Sequence, residues 1–494
     1  MQTYETWEIL LEIGKKRQDI GFFTINPKLV LFFKFAQYRP FSKINRTILF
    51  FLYFCTSKQR GMIQELKVKN FLSFKDEVNF SFEATRDTFA EDYQVVEVAP
   101  GVRLLRFAMV YGANASGKSN FLSVFKFLGT FWRLLPHSVE EGTGTVPFLL
   151  DTETPNQPSE LELVFYVDAT KYWYQLMIDR NAVLSEKLFI YKSVQPTLLF
   201  DRYLENGQSV IHYGAPVKVS AVEKEKIAVE CLKNMSFFAA RNKVNVSFPE
   251  IDAAKQWMLH QIMPVVVPET SLFEYAERHI ASDDRLKSHL LEFLRQADFN
   301  ISDVKTDIVN EIIPEQYLNL FLNDDSIPAT EKDRLRKERT ISRYNTAFEH
   351  TVTIQDRQSK FFLPKEFESL GTLRTFGIET AIYYAQQNSA ILSIDEVENS
   401  LHPQLLRFIL LDFLRKKSRS QLIITTHYDP LLNDISKLED QRLFRKDSVW
   451  FTEKKENGHT DIYSLAEFRG LNRLSSIQKA YNQGNFGAVP QIDL

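Results

Sequence analysis

The 494-residue sequence predicts an α/β fold with a mixed sheet, an antiparallel β subdomain and a helical insertion. Three observations predict it. The apolar run Phe107-Ala-Met-Val-Tyr111 leads through a glycine-containing loop into a helical stretch, Asn120-Phe-Leu-Ser-Val-Phe-Lys-Phe-Leu128. From residue 370 the pattern reads helix, buried strand, helix, buried strand, the texture of α/β sheets. Residues 62–235 read instead as short strands separated by turns.

Taken in order, Met62 to Phe74 alternates like a strand, with Ile63, Leu66, Val68 and Phe71 as its apolar positions. Glu160–Val167 and Tyr172–Ile178 form a hairpin around Asp168-Ala-Thr-Lys. Residues 252–300 and 328–343 look helical, and strands return at 346–363. These readings divide the chain into an extension at 1–61, a lobe at 62–240, a mainly helical insertion at 241–345 and a second lobe at 346–494. The length alone calls for more than one core.

Composition narrows the class. With 44% hydrophobic and 25% charged residues this is the mix of a globular protein. A net charge of −3 excludes binding to nucleic acid by bulk charge. Cys55 and Cys231, the only cysteines, make neither a disulfide framework nor a zinc site, which fits a cytoplasmic location. Residues 1–61 differ from the rest: they carry a net charge of +6 and 13 aromatics, against −9 for residues 62–494. Their densest apolar run, Thr47–Cys55, is far short of the roughly 20 residues a membrane helix needs, so no membrane span is expected. The expectation is that Met62 is the true start and 1–61 a spurious extension. The rival is a membrane-touching or partner-binding arm.

The strongest motif is Gly112-Ala-Asn-Ala-Ser-Gly-Lys118-Ser119, the pattern G-x-x-x-x-G-K-S, between a strand and a helix. Its glycines let backbone amides turn toward phosphate oxygens. Lys118 would neutralise β- and γ-phosphate charge, Ser119 would ligate Mg²⁺, and the helix beginning at Asn120 would add its dipole. A second strand, Ala390-Ile-Leu-Ser-Ile-Asp395-Glu396, ends in two acids. Asp395 would hold the Mg²⁺ through water, and Glu396 would orient and deprotonate an attacking water. His402-Pro403 opens the next helix. The following strand ends at His427, where open α/β sheets place ligand-binding groups; there His427 can sense a γ-phosphate. Ser369, Gly371 and Thr372 open the helix before Asp395. Alone they are a capped helix start; beside the other motifs they offer another anion-binding surface.

In this order the motifs resemble the ABC-type ATPase heads related to the SMC and RecF proteins. Ser369–Thr372 then resembles the signature, Asn399–Leu401 the D-loop and His427 the switch histidine. Within that class the chain is similar to compact AAA-family ATPases of the RloA and AbiLii type, linked to abortive infection and restriction. The likeness is carried by Asn70-Phe-Leu-Ser73, Tyr111–Asn120, Pro147-Phe148, Pro158-Ser-Glu-Leu-Glu162, Asp395–Pro403, Thr425-Thr-His427, Phe444–Trp450 and Tyr481–Pro490. It covers 62–494. It implies an ATPase using ATP and Mg²⁺, with two ATP molecules sandwiched in a homodimer or larger oligomer. It also implies a nucleotide-gated clamp or sensor in anti-phage defence, with a separate effector such as a nuclease or RloB-like protein. The alternatives are a DNA-repair ATPase and an ATP-dependent scaffold that does not hydrolyse. ATP over GTP rests on the resemblance alone.

The likeness has gaps. No Q-loop glutamine is assigned; Gln157 lies at a suitable distance, but in a turn-like Pro-Asn-Gln-Pro. Arg445 could reach a phosphate or pair with Asp447. The charged run at 331–341 could touch DNA or be a solvated helix face. The 67 residues after His427 leave no room for the nuclease domain of OLD-type relatives.

Overall fold

A computed structural model describes residues 60–323, 329–436 and 442–489. Strands β1 (Gly61–Lys69) and β2 (Val78–Ser81) open the described chain, and β3 (Val95–Ala99) and β4 (Val102–Leu105) form a two-stranded ribbon. Next come β5 (Phe107–Tyr111) and the helix α1 (Lys118–Phe131), then a meander of β6 (Ser159–Val167), β7 (Thr170–Ile178), β8 (Val183–Tyr191), β9 (Thr197–Glu205) and β10 (Gln208–Tyr213). Helices α2 (Pro249–His260), α3 (Leu272–Ile280) and α4 (Asp284–Gln296) lead to strands β11 (Ile301–Ile312), β12 (Thr340–Ile354) and β13 (Arg357–Pro364). The remainder is α5 (Leu370–Asn388), β14 (Ile391–Ile394), α6 (Pro403–Arg415), β15 (Gln421–Thr425), β16 (Val449–Lys454) and β17 (Thr460–Ser464), closed by a short helix at Ile477–Asn482.

The fold is mixed α/β. A seven-stranded antiparallel sheet has the order β10-β9-β8-β7-β6-β1-β2, and a five-stranded sheet the order β14-β15-β5-β16-β17. In the second, β14, β15, β5 and β16 run parallel and β17 is antiparallel. Because side chains alternate across a strand, β5 feeds two cores. Ala108 and Val110 join the β subdomain, α1 and Trp257, while Phe107, Met109 and Tyr111 join α5, α6 and Leu392 and Ile394 of β14. Helix α1 buries Phe121, Leu122, Val124, Phe125, Leu128 and Phe131, the spacing of one helical face. The C-terminus of α6 is closed by Arg106, whose guanidinium donates to the carbonyls of Phe413 and Leu414 and to Ser418 Oγ.

The β6–β7 hairpin is tighter than the sequence suggested. Val167 pairs with Thr170 across a two-residue turn, with Asp168 in the left-handed region at φ 56°. The insertion needs correction. Residues 241–345 hold helices, but also the twelve-residue strand β11 and the start of β12, which begins at Thr340 rather than at 346. These strands and β13 form a separate three-stranded sheet, packed through Ile301, Val304 and Phe348 onto Leu286, Leu290 and Phe376. The charged helix Ala329–Glu338 pairs Arg334 with Glu338 and Arg336 with Asp333 along its own length, as a solvated face does.

The boundary at 61/62 also shifts. Gly61 is the first residue of β1 and pairs with Val167; any side chain there would strike Trp257 and the Tyr166 carbonyl. The rest of the expected extension, residues 1–59, lies outside the described residues. Among the described residues, no helix is long and apolar enough to cross a membrane.

Candidate functional site

At the carboxyl end of β5 the chain turns sharply. Ala115 (φ 60°) and Gly117 (φ 107°) take left-handed conformations, and α1 starts at Lys118. The loop is held from behind by β16 and β17. Ser116 Oγ bonds Thr452 Oγ1 at 2.7 Å, and Thr460 Oγ1 donates to the Ser116 carbonyl at 2.9 Å and lies 2.9 Å from Ser73 Oγ. A side chain at Gly112 would strike Ser116 and Thr452, and one at Gly117 would strike Thr460. Both glycines are therefore fixed by packing as well as by conformation.

This turn floors a cavity of about 450 Å³. Asn114, Ala115, Ser116, Gly117, Lys118, Ser119 and Asn120 line it, and Glu396 and His427 enter from β14 and β15. Lys118 is 6% exposed, and its Nζ donates to the carbonyls of Gly112 and Ala113 at 2.9 and 3.0 Å. Burial pushes its pKa down to about 8 against the pull of Asp395, Glu396 and Glu398. The cation is thus held by weak carbonyl partners, leaving it underneutralised and suited to a polyanion.

Asp395 is buried at the end of β14. Its amide donates to the Val266 carbonyl, and Thr425 Oγ1 donates to its carboxylate. The same Thr425 hydroxyl accepts from the Glu396 amide at 2.9 Å. Glu396 itself has φ 46°, a left-handed turn that redirects the chain just beyond the strand. The His427 amide donates to Glu398 Oε1 at 2.6 Å. Burial, and then the charge of Lys118, hold the His427 imidazole below its usual pKa.

Ser369, Gly371 and Thr372 are not brought to this cavity. Ser369 caps α5 by accepting from the Thr372 amide at 3.0 Å. Flanking them, Phe367 and Leu370 are 74% and 75% exposed. Gln157 lies elsewhere too: its carbonyl, with those of Thr154 and Pro158, accepts from Asn70 Nδ2. Asn70 Oδ1 in turn accepts from the Phe148 amide. One buried asparagine thus ties Asn70–Ser73, Pro147-Phe148 and Pro158-Ser159 together and sets the 146–150 strip over the cavity. Arg445 pairs with Asp447 through two nitrogens, at 2.9 and 2.7 Å, with both residues buried; Asp447 also accepts from Thr85. That decides between its two possible roles in favour of the pair.

Ser73, Thr425 and Glu398 fall in stretches that carry the family likeness, but sequence reasoning gave them no role; Thr452, Thr460 and the cavity residues Leu149, Leu150 and Lys454 it missed altogether, since each works on a segment distant in sequence. Among the described residues no cluster of three or more metal-ligating side chains is present. Ser119 lines the cavity, whereas Asp395 is not among its lining residues and lies buried at the end of β14.

A family described as "AAA domain, putative AbiEii toxin, Type IV TA system" matches residues 107–216 and 273–433, more than half of the chain. No curated protein matches. Among solved structures, the SMC head domain from Thermotoga maritima is 12% identical, with a TM-score of 0.37, covering 81% of this chain and 98% of that one. The Smc head of Pyrococcus furiosus, with an extended coiled coil and bound to the C-terminal domain of ScpA, is also 12% identical. Its TM-score is 0.34, covering 86% of this chain and 99% of that one.

Proposed function

The chain belongs to this AAA-domain family, and from that premise we propose that it binds and hydrolyses ATP at the cavity over Lys118, as a nucleotide-gated clamp that works in pairs. The observation that carries the reading is the meeting of three groups from three strand ends in one cavity: the Gly112–Ser119 loop, Glu396 and His427. Amides at the start of α1 and the Lys118 ammonium take the phosphates. Glu396 would orient water and accept its proton, and His427 would hold the terminal phosphate; that both line the cavity with the loop supports these roles. Ser119 and Asp395 would hold a Mg²⁺, which would supply neutralising charge for the phosphates.

The pairing is what the ABC-type likeness implies, and the placement of three residues supports it. Ser369, Gly371 and Thr372 lie outside it, at a helix start flanked by two exposed apolar side chains. A second copy presenting that surface to the cavity would complete the site and exclude water from it. The RloA and AbiLii likeness extends the proposal to anti-phage defence with a separately encoded effector. Glu396 favours this over a scaffold without turnover, because a scaffold needs no general base.

The test is ATP turnover by the full chain and by Glu396→Gln, with mass in solution recorded with and without ATP. The expectation is turnover lost in the variant, which accumulates as an ATP-dependent dimer or larger species. Equal turnover in both proteins would end the assignment of Glu396.

A further inference from the structure

We propose that Glu398 is a positioning residue: it fixes the backbone of His427 to the turn after Asp395–Glu396, and that turn carries the pose of His427 to the Ser369 end of α5 in the same chain. The proposal rests on the ATPase reading above and says how the filled cavity reaches the surface offered to a second copy.

The chain of contacts is short. Glu398 Oε1 accepts from the His427 amide at 2.6 Å, while its Oε2 is buried and has no partner among the described residues. A carboxylate with one working oxygen is an expensive way to satisfy one amide, which points to a role for the geometry it imposes. Its charge also acts on Lys118 and on the buried Tyr111 phenol. The turn it belongs to is stiff. The Asn399 amide donates to the Glu396 carbonyl and the Leu401 amide to that of Glu398, each at 3.0 Å, and Ser400 sits at φ 63°.

The far end of this turn meets α5. A β-carbon added at Gly371 would lie 2.9 Å from the Ser400 carbonyl, closer than such atoms come, so Gly371 is what lets the turn rest on the helix start. Thr375 Oγ1 donates to the Gly371 carbonyl at 2.7 Å, and Thr372 is buried. His427, Glu398, Ser400 and Gly371 thus form one contiguous path from the cavity to Ser369 and Leu370. A shift of His427 on meeting a terminal phosphate would move the surface presented to the other copy, a route for coupling between two sites.

The experiment uses the full chain with Glu398→Ala, Glu398→Gln and Gly371→Ala. It measures kcat and KM for ATP, Kd for a fluorescent ATP analogue, and the melting temperature. Glu398→Ala is expected to lower kcat at least tenfold, with Kd and KM within threefold of wild type. Glu398→Gln keeps an acceptor for the His427 amide and should return kcat to within threefold. Gly371→Ala should reproduce the kcat loss although it lies at the far end of the path. A glutamine variant as slow as the alanine variant would overturn the proposal, since charge and not positioning would then be at work. So would wild-type kcat in Glu398→Ala, or, if that variant does not fold, in Gly371→Ala. Wild-type turnover that ignores Glu396→Gln would overturn the ATPase reading and this inference with it; turnover that obeys Glu396→Gln but ignores Glu398→Ala would overturn the inference alone.

Discussion

The loop at Gly112–Ser119 is braced by Thr452 and Thr460 and floors a cavity roofed by the 146–150 strip, whereas Ser369–Thr372 stands at the surface between the exposed Phe367 and Leu370. Both are helix starts with small residues and a hydroxyl. They differ in what surrounds them. The first has its loop conformation fixed by contacts from elements distant in sequence, and needs only a ligand. The second is capped by its own Ser369 and packed from below by Ser400, but nothing in the same chain brings it to the cavity. The difference teaches that local motif chemistry does not decide whether a helix start is enclosed in a cavity or left at the surface.

Three substitutions break or sharpen that contrast. The largest effect is expected from Lys118→Ala. Calorimetric or fluorescence titration should find ATP affinity reduced at least 100-fold, about 3 kcal/mol. Affinity within twofold of wild type would mean the loop is no phosphate cradle. Next is Ser369→Arg on the other half: ATP-dependent assembly and turnover should fall at least tenfold while nucleotide affinity stays within twofold. Normal cooperative turnover would remove the paired-site model and leave Ser369 a helix cap. The smallest is Thr460→Val, which takes away the hydroxyl bracing Ser116 and Ser73. It should cost about 1–2 kcal/mol in denaturant unfolding and weaken ATP binding several-fold. No change in either would show that the loop keeps its shape unbraced.

What the sequence made legible was what lies within a few residues. The spacing Gly112-x-x-x-x-Gly117-Lys118-Ser119, the acids after β14 and the alternation of β6 and β7 are all local patterns. Strand β11 escaped because only Ile301 and Val304 among its residues are buried, so its polar face dominates the pattern. The start of β12 was hidden behind the charged run before it. Arg445 stayed open between two partners until burial decided it, and Thr452 and Thr460 carry no signal, since a threonine in a strand is ordinary. Ser116 and Thr452 are 336 positions apart, a separation no window of sequence reads.

That separation bears on how the protein is made. The phosphate loop leaves the ribosome early, but the strands that brace it, β16 and β17, come last among the named strands. At about 5–20 residues per second the unfinished loop waits tens of seconds for its support. The central sheet can close only late, around a strand whose two neighbours, β15 and β16, are both synthesised after it.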